Sequence, residues 1–312
     1  FPLLVVAQVS WGLGWAFSTG ADVAWVTDEL DRPEVVARVL TARARCELAG
    51  GAAGMVALGV LAWATALATA IVVSGAAMAL LGLFVAARFP EDKFTPARER
   101  RWSASLSLFR RGVALARGDP EILLVLAATL VVNGASMSGW LFPKQLVSRG
   151  FPNDPVLWFT GLGIVSSAIG VLALRIVQTR IDGVGVARRT YSLACFVGML
   201  GLLVLAYAPD ALVGGAGVAL ASGVAFNVTR AVSVIWVNRR TTRDVRATLH
   251  SFLSQAESVG EIAGGLALAG LARAAGVSAT LVASAALVAL AGALVARSRA
   301  DRRVAPAAGA RE

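Results

Sequence analysis

Between Glu47 and Arg88 the chain reads LAGGAAGMVALGVLAWATALATAIVVSGAAMALLGLFVAA, from Leu48 to Ala87 without one charged residue. Roughly 40 residues of unbroken helix would measure about 60 Å, twice the hydrocarbon core of a bilayer. The stretch therefore folds back once. Trp63-Ala64-Thr65 is the natural turn, an aromatic suited to the membrane interface beside a small polar residue. Two spanning helices joined by a short hairpin are expected, about 46–64 and 66–87.

The same pattern continues on both sides. Uncharged runs at 1–21, 122–143, 155–174, 190–209, 211–229 and 274–296 each suffice for one crossing. The stretch 252–272 is apolar except for Glu257 and Glu261. The expected spans are thus about 1–23, 46–64, 66–87, 121–141, 156–178, 190–208, 211–236, 252–272 and 277–297, nine in all. The runs are too long and continuous for the alternating strands of a membrane barrel. The fold class is all-α, a polytopic membrane bundle. Asp119-Pro120 and Asp154-Pro155 each set a capping acid before a proline at the first helical position. Pro209-Asp210 makes a tight turn between two spans.

Composition and charge agree. Hydrophobic residues make up 57% of the 312 and charged residues 15%. An ordinary soluble domain is about a quarter charged, so a water-soluble enzyme and a disordered chain are both excluded. The net charge of +10 raises nucleic acid as a partner, and topology removes it. With nine spans, Lys144, Arg149 and Arg273 lie on one side, and the rest of the 29 basic residues lie on the other. The positive-inside rule makes that richer side cytoplasmic, with Phe1 outside and the C-terminus inside. No basic folded domain remains to hold nucleic acid. Cys46 and Cys195 lie in or beside apolar helices and read as small hydrophobes. There is no metal-ligand cluster, no P-loop and no nucleophile elbow, so neither cofactor nor enzymatic chemistry is expected.

An internal repeat organises the spans. Trp25-Val26-Thr27-Asp28 is followed by Glu47-Leu48-Ala49-Gly50-Gly51. Trp236-Val237-Asn238-Arg239 is followed by Glu261-Ile262-Ala263-Gly264-Gly265. In both copies a span ends at the basic side, a charged segment follows and a glycine-rich span returns. Parallel repeats of six helices are a known transporter design. On that reading residues 1–87 are the last three helices of a first half. Residues 88–120 are a cytoplasmic linker, in which Phe109-Arg110-Arg111 and nearby leucines suit an amphipathic surface helix. Residues 121–297 are a complete six-helix second half, and 298–312 a basic cytoplasmic tail.

These features together resemble the major facilitator superfamily, in a bacterial efflux-like branch. Ser18-Thr19-Gly20-Ala21-Asp22-Val23-Ala24-Trp25 through Leu30 is similar to the end of that family's fourth helix. Arg246-Ala247-Thr248-Leu249-His250-Ser251 is similar to the start of its eleventh. Arg180-Ile181-Asp182-Gly183-Val184-Gly185-Val186-Ala187-Arg188-Arg189 resembles a degenerate copy of its loop between the eighth and ninth helices. The resemblance covers nearly the whole chain and implies nine of the usual twelve helices, with three further helices expected upstream of Phe1. Two departures stand out. Gln8 occupies the place of an arginine carried by many proton antiporters. The glycines of Cys46 to Gly54 lack the accompanying proline.

Ionisable residues inside a bilayer are costly and mark function. Asp22 lies at the end of an apolar span, and the resemblance implies a place at the cavity mouth; the alternative is pairing with an arginine of the following segment. Asn227 and Arg230 share a helix face and suit an anionic or polar group of a substrate; the alternative is a gating ion pair or a snorkelling arginine. A direct Asp22–Arg230 contact would join the two halves. Glu257 and Glu261, one turn apart, are candidate proton carriers, or else partners of loop arginines such as Arg246. Asn133, Ser136 and Trp140 recur at helical spacing as cavity lining, with interfacial anchoring as the alternative for Trp140. The resemblance implies a conformational loop at Asp182, Arg188 and Arg189, and a role for Arg246 beside it. His250, the single histidine, is expected at the surface of a loop–helix junction.

The expected function is secondary active transport of a small molecule across the cytoplasmic membrane by alternating access. The resemblance makes efflux the first direction, with protons as the candidate coupling ion and the lipid bilayer as the other partner. Uptake of a small metabolite, or a membrane scaffold or remnant without transport, are the alternatives.

Overall fold

The computed structural model describes residues 6–7, 9–10, 12–14, 21–30, 32–89, 101–150, 155–181, 185–241 and 245–297. The elements, in order, are α1 (Ala21–Leu30), α2 (Pro33–Ala64), α3 (Leu67–Arg88), α4 (Arg101–Gly118) and α5 (Pro120–Ser136). A 3₁₀ turn (Met137–Leu141) carries α5 into α6 (Phe142–Ser148). Then come α7 (Pro155–Gln178), α8 (Val186–Tyr207) and α9 (Ala211–Val218). A π-helical segment (Ala219–Phe226) leads without a break into α10 (Asn227–Arg240), and α11 (Arg246–Arg297) follows.

The punctuation seen in the sequence works as expected where it is described. The long apolar run turns at Thr65, whose hydroxyl donates to the Leu61 carbonyl at 2.7 Å. Asp119 caps α5 by accepting the N–H groups of Glu121 and Ile122 at 2.9 and 3.4 Å. Asp210 caps α9 in the same way, accepting from Leu212 and Val213 at 2.9 Å each. Residue 154 lies outside the described residues.

Seven helices among the described residues are long and apolar enough to cross a membrane, against the nine expected. Two causes account for the difference. Most of the expected first span, 1–23, lies outside the described residues. The last two expected spans form one 52-residue element, α11, bent at Gly276. Its backbone there has φ 85° and ψ 173°, a region open essentially only to glycine. A straight helix of that length would run about 78 Å, well beyond a bilayer.

The segment expected as a charged loop, 24–45, is also largely helical. Pro33 occupies the first turn of α2 with Glu34 beside it, which starts the helix well before its apolar part. Arg38, Arg43 and Arg45 therefore ride on a helical extension. In the expected linker, α4 is a helix held against α11. Phe109 meets Phe252 edge-on at 5.5 Å, and a Cβ on Gly112 would stand 2.7 Å from the Thr248 methyl.

The interior is built from helix-on-helix contact. α11 packs along α5 and α8, and α2 along α7. A Cβ at Gly260 or Gly264 would collide with the backbone of Leu130 or Gly134, so α5 and α11 touch main chain to main chain, as small residues four apart allow. The π-helical segment meets α7 as closely, since a Cβ at Gly223 would stand 2.7 Å from the Ser166 carbonyl. The chain is a multi-pass membrane protein.

Candidate functional site

One cleft gathers residues from near both ends of the chain. Its volume is about 180 Å³, and its charged and polar lining includes Asp22, Arg43, Glu47, Asn227, Arg230 and Glu257, with His250 and Ser254 beside them. Asp22 comes from the first turn of α1, Arg43 and Glu47 from α2, Asn227 and Arg230 from α10, and His250, Ser254 and Glu257 from α11.

Two ion pairs dominate it. Arg43 pairs with Asp22 through Nη2 and Oδ2, both side chains being about two-fifths exposed. The Asp22 Oδ1 accepts the N–H of Val23 at 2.8 Å. Arg230 Nε lies 3.6 Å from Glu257 Oε1, with Arg230 half exposed and Glu257 largely enclosed. An enclosed carboxylate needs a counter-ion, and Arg230 is the one that stands there. The expected Asp22–Arg230 contact is not formed. α1 and α2 are neighbours in space, so Arg43 reaches Asp22 first, and Arg230 turns to Glu257. The two pairs face one another across the same cleft.

Asn227 sits midway along the span that begins at Ala211. Its Nδ2 donates to the carbonyls of Ser222 and Gly223 at 2.7 and 3.0 Å. Those carbonyls belong to the π-helical segment, whose wider turn leaves them for a side chain to satisfy. Asn227 therefore anchors the π segment while forming part of the cleft wall.

The other candidates separate. Glu261 is exposed, whereas Glu257, one turn earlier, is buried. Asn133 donates to the Thr129 carbonyl at 2.9 Å and accepts the Ser136 hydroxyl on its own carbonyl, so both serve their own helix. Trp140 is 81% exposed, because the 3₁₀ turn shifts the phase of the helix and swings it outward. It lines neither this cleft nor the neighbouring cavity. Arg188 and Arg189 lie in the first turn of α8 and Arg246 begins α11; Asp182 lies outside the described residues.

Sequence reasoning missed several participants. His250, expected at the surface, is 3% exposed, because it shares the inward side of α11 with the core residues Leu249 and Leu253. Its Nε2 lies 3.4 Å from Asn238 Oδ1. Arg240 closes a network at the same end of α10. It reaches Asp119 Oδ2 at 3.0 Å and Glu121 Oε2 at 2.7 Å, while Trp236 Nε1 donates to Glu121 Oε2 at 3.0 Å. In the sequence Arg240 counted only toward loop charge, Asp119 only as a helix cap and Trp236 only as part of the repeat. Among the described residues no group of three His, Cys, Asp or Glu side chains is placed to hold a metal ion.

No protein-family model matches the chain, and no curated protein does. Among solved structures, the crystal structure of the human organic anion transporter MFSD10 (TETRAN) is similar, with a TM-score of 0.67 at 19% identity over 88% of this chain and 67% of that one. The bundle thus shares the fold of that transporter.

Proposed function

We propose that the protein is a secondary active transporter that carries a small molecule across the cytoplasmic membrane by alternating access, in the direction of export. The observation that carries this is the shared cleft: one ion pair, Asp22–Arg43, comes from before residue 88, and the other, Arg230–Glu257, from after residue 120. A site walled by both halves of a repeat changes shape when the halves rock. Arg230 is the half-exposed cation beside Asn227, so an anionic or polar group is the natural ligand. The MFSD10 neighbour is described as an organic anion transporter, which is consistent with that choice.

The placement of the cleft is consistent with this direction. The cleft lies toward the end of α10 that carries Arg239 and Arg240, the basic end that the positive-inside rule makes cytoplasmic. Substrate loads from inside. Glu257, enclosed beside Arg230, is the candidate carrier of the coupling proton, with Glu261 as the second carboxyl. Arg188, Arg189 and Arg246 are assigned to a conformational loop region at that same end, with Asp182 assigned to it by its place in the sequence alone.

The test is flux in proteoliposomes of the purified protein, with and without an imposed proton gradient, using radiolabelled aromatic sulfonates. Sulfonates stay ionised and do not leak as neutral acids. Gradient-dependent movement above protein-free vesicles is expected. No movement of any anion in either condition would overturn the reading.

A further inference from the structure

A second cavity lies next to the cleft and shares one residue with it, Asn227. It measures about 340 Å³ and is mostly apolar, with walls that include Met55, Phe142, Phe159, Leu162 and Ser166. Its lining extends to the 3₁₀ turn between α5 and α6, through Gly139, Phe142 and Pro143. Three properties distinguish it from a packing defect. It is roughly twice the size of a cavity that holds a benzene ring, and it falls within the range of ligand pockets. Its walls combine aromatic faces with a polarizable methionine. The Ser166 hydroxyl on its wall is buried and has no hydrogen-bond partner among the described residues, in a protein interior where buried hydroxyls are normally satisfied.

Asn227 links the two spaces. Its amide nitrogen is committed to the Ser222 and Gly223 carbonyls, which leaves its carbonyl oxygen as an acceptor at the boundary. Ser166 stands at the middle of α7 and Asn227 at the middle of its own span, the depth at which transporter sites form. In order across the membrane come the Arg230–Glu257 pair, the Asn227 acceptor and the apolar cavity with its free hydroxyl.

We infer that the cavity is a binding subsite for the apolar body of the substrate, and that the substrate class is an aromatic anion of about two fused rings whose acidic group reaches Arg230. This rests on the assignment of Arg230 to the anionic group proposed above. Asn227 and Ser166 supply one acceptor and one hydroxyl for a polar substituent on the ring system. A small anion without a ring fills only the cleft, and a neutral ring system fills only the cavity.

Equilibrium binding to the purified full chain tests this, with methanesulfonate, 1-naphthalenesulfonate and neutral naphthalene-1-sulfonamide as probes. 1-Naphthalenesulfonate is expected to bind at least about tenfold more tightly than either of the others. Two substitutions narrow the cavity from two adjoining helices, α7 and α2. Gly163→Leu adds bulk where a Cβ has ordinary contact with Met55, 3.5 Å away. Met55→Trp does so from an exposed position on α2, where it is the less exposed to folding failure. Each should bring 1-naphthalenesulfonate to within about threefold of methanesulfonate while leaving methanesulfonate unchanged. Arg230→Gln should weaken both sulfonates and spare the sulfonamide. Naphthalenesulfonate affinity that survives both cavity substitutions, with Arg230→Gln still weakening it, overturns the subsite and leaves the anion site standing. Unchanged binding of both sulfonates in Arg230→Gln overturns the anion site itself.

Discussion

Thr27 Oγ1 lies 3.4 Å from Asn238 Oδ1, and the two residues are 211 positions apart, the same separation as Trp25 from Trp236. They hold the same place in Trp25-Val26-Thr27-Asp28 and Trp236-Val237-Asn238-Arg239. The Thr27 hydroxyl donates to the Val23 carbonyl at 2.7 Å, so the Asn238 contact is the longer and weaker of its two. Equivalent positions of a repeat meet each other only beside the axis that relates the copies. On the proposed six-helix repeat, the axis relating the two copies would pass next to this pair.

On the proposed alternating-access cycle, a junction at this pair would close and open as the halves rock. The double variant Thr27→Cys, Asn238→Cys, made with Cys46 and Cys195 replaced by serine, should crosslink with a short thiol-specific reagent. The crosslinked protein should lose flux that reduction restores. Absence of crosslinking in membranes would show that the two positions do not meet.

The two kinds of ion pair should differ in what they contribute to stability. Arg240 is largely enclosed with Asp119 and Glu121. Arg240→Gln strands two carboxylates and should cost about 3 kcal/mol, visible as a lowered thermal midpoint in detergent. Arg43 and Asp22 are far more exposed, so Arg43→Gln should cost under about 1 kcal/mol. Equal losses would contradict the difference in burial.

Glu257 and Glu261 should separate in transport. Glu257→Gln keeps its size and hydrogen-bonding capacity but cannot exchange a proton. It should abolish gradient-driven flux and retain substrate exchange across vesicles. Glu261→Gln, at an exposed position, should keep at least about half of the driven flux; its complete loss would make Glu261 a carrier as well.

Gly276 should resist substitution more than its solvent-open surroundings suggest. Nothing lies within 4 Å of a Cβ built there, so sterics with neighbours are absent and the backbone alone decides. Gly276→Ala should lower stability by about 1–3 kcal/mol. A thermal midpoint unchanged from the parent would mean the bend does not require glycine.

Much of this was legible before any coordinates. Spans are set by the length of uncharged runs, and Thr65, Asp119 and Asp210 mark their ends through local hydrogen bonds. Asp22, Asn227, Arg230 and Glu257 were legible as site residues because a polar group inside an apolar run stands out. Arg43 was not, because α2 continues as helix past its apolar part and carries it into the cleft, where charge counting saw a loop; Glu47 was read only as part of the repeat at the start of a span. Glu257 and Glu261 look alike in sequence. Which of two residues a turn apart faces inward depends on how α5 seats against α11, a contact between Gly134 and Gly264 that no local pattern reveals. Trp140 shows the same limit, since helical spacing holds only until the 3₁₀ turn resets it.

The π-helical segment between Ala219 and Phe226 acts on everything that follows it. One residue more or less in a helix turns the downstream chain by about 100°. The wide turn therefore sets the azimuth of α10, and with it the compass bearing of Arg230. A deletion of one residue from this segment would leave the span long enough and apolar enough to cross, yet point the guanidinium at lipid or at α8. What the membrane requires of this helix is length; what the cleft requires of it is phase, and the phase is stored here.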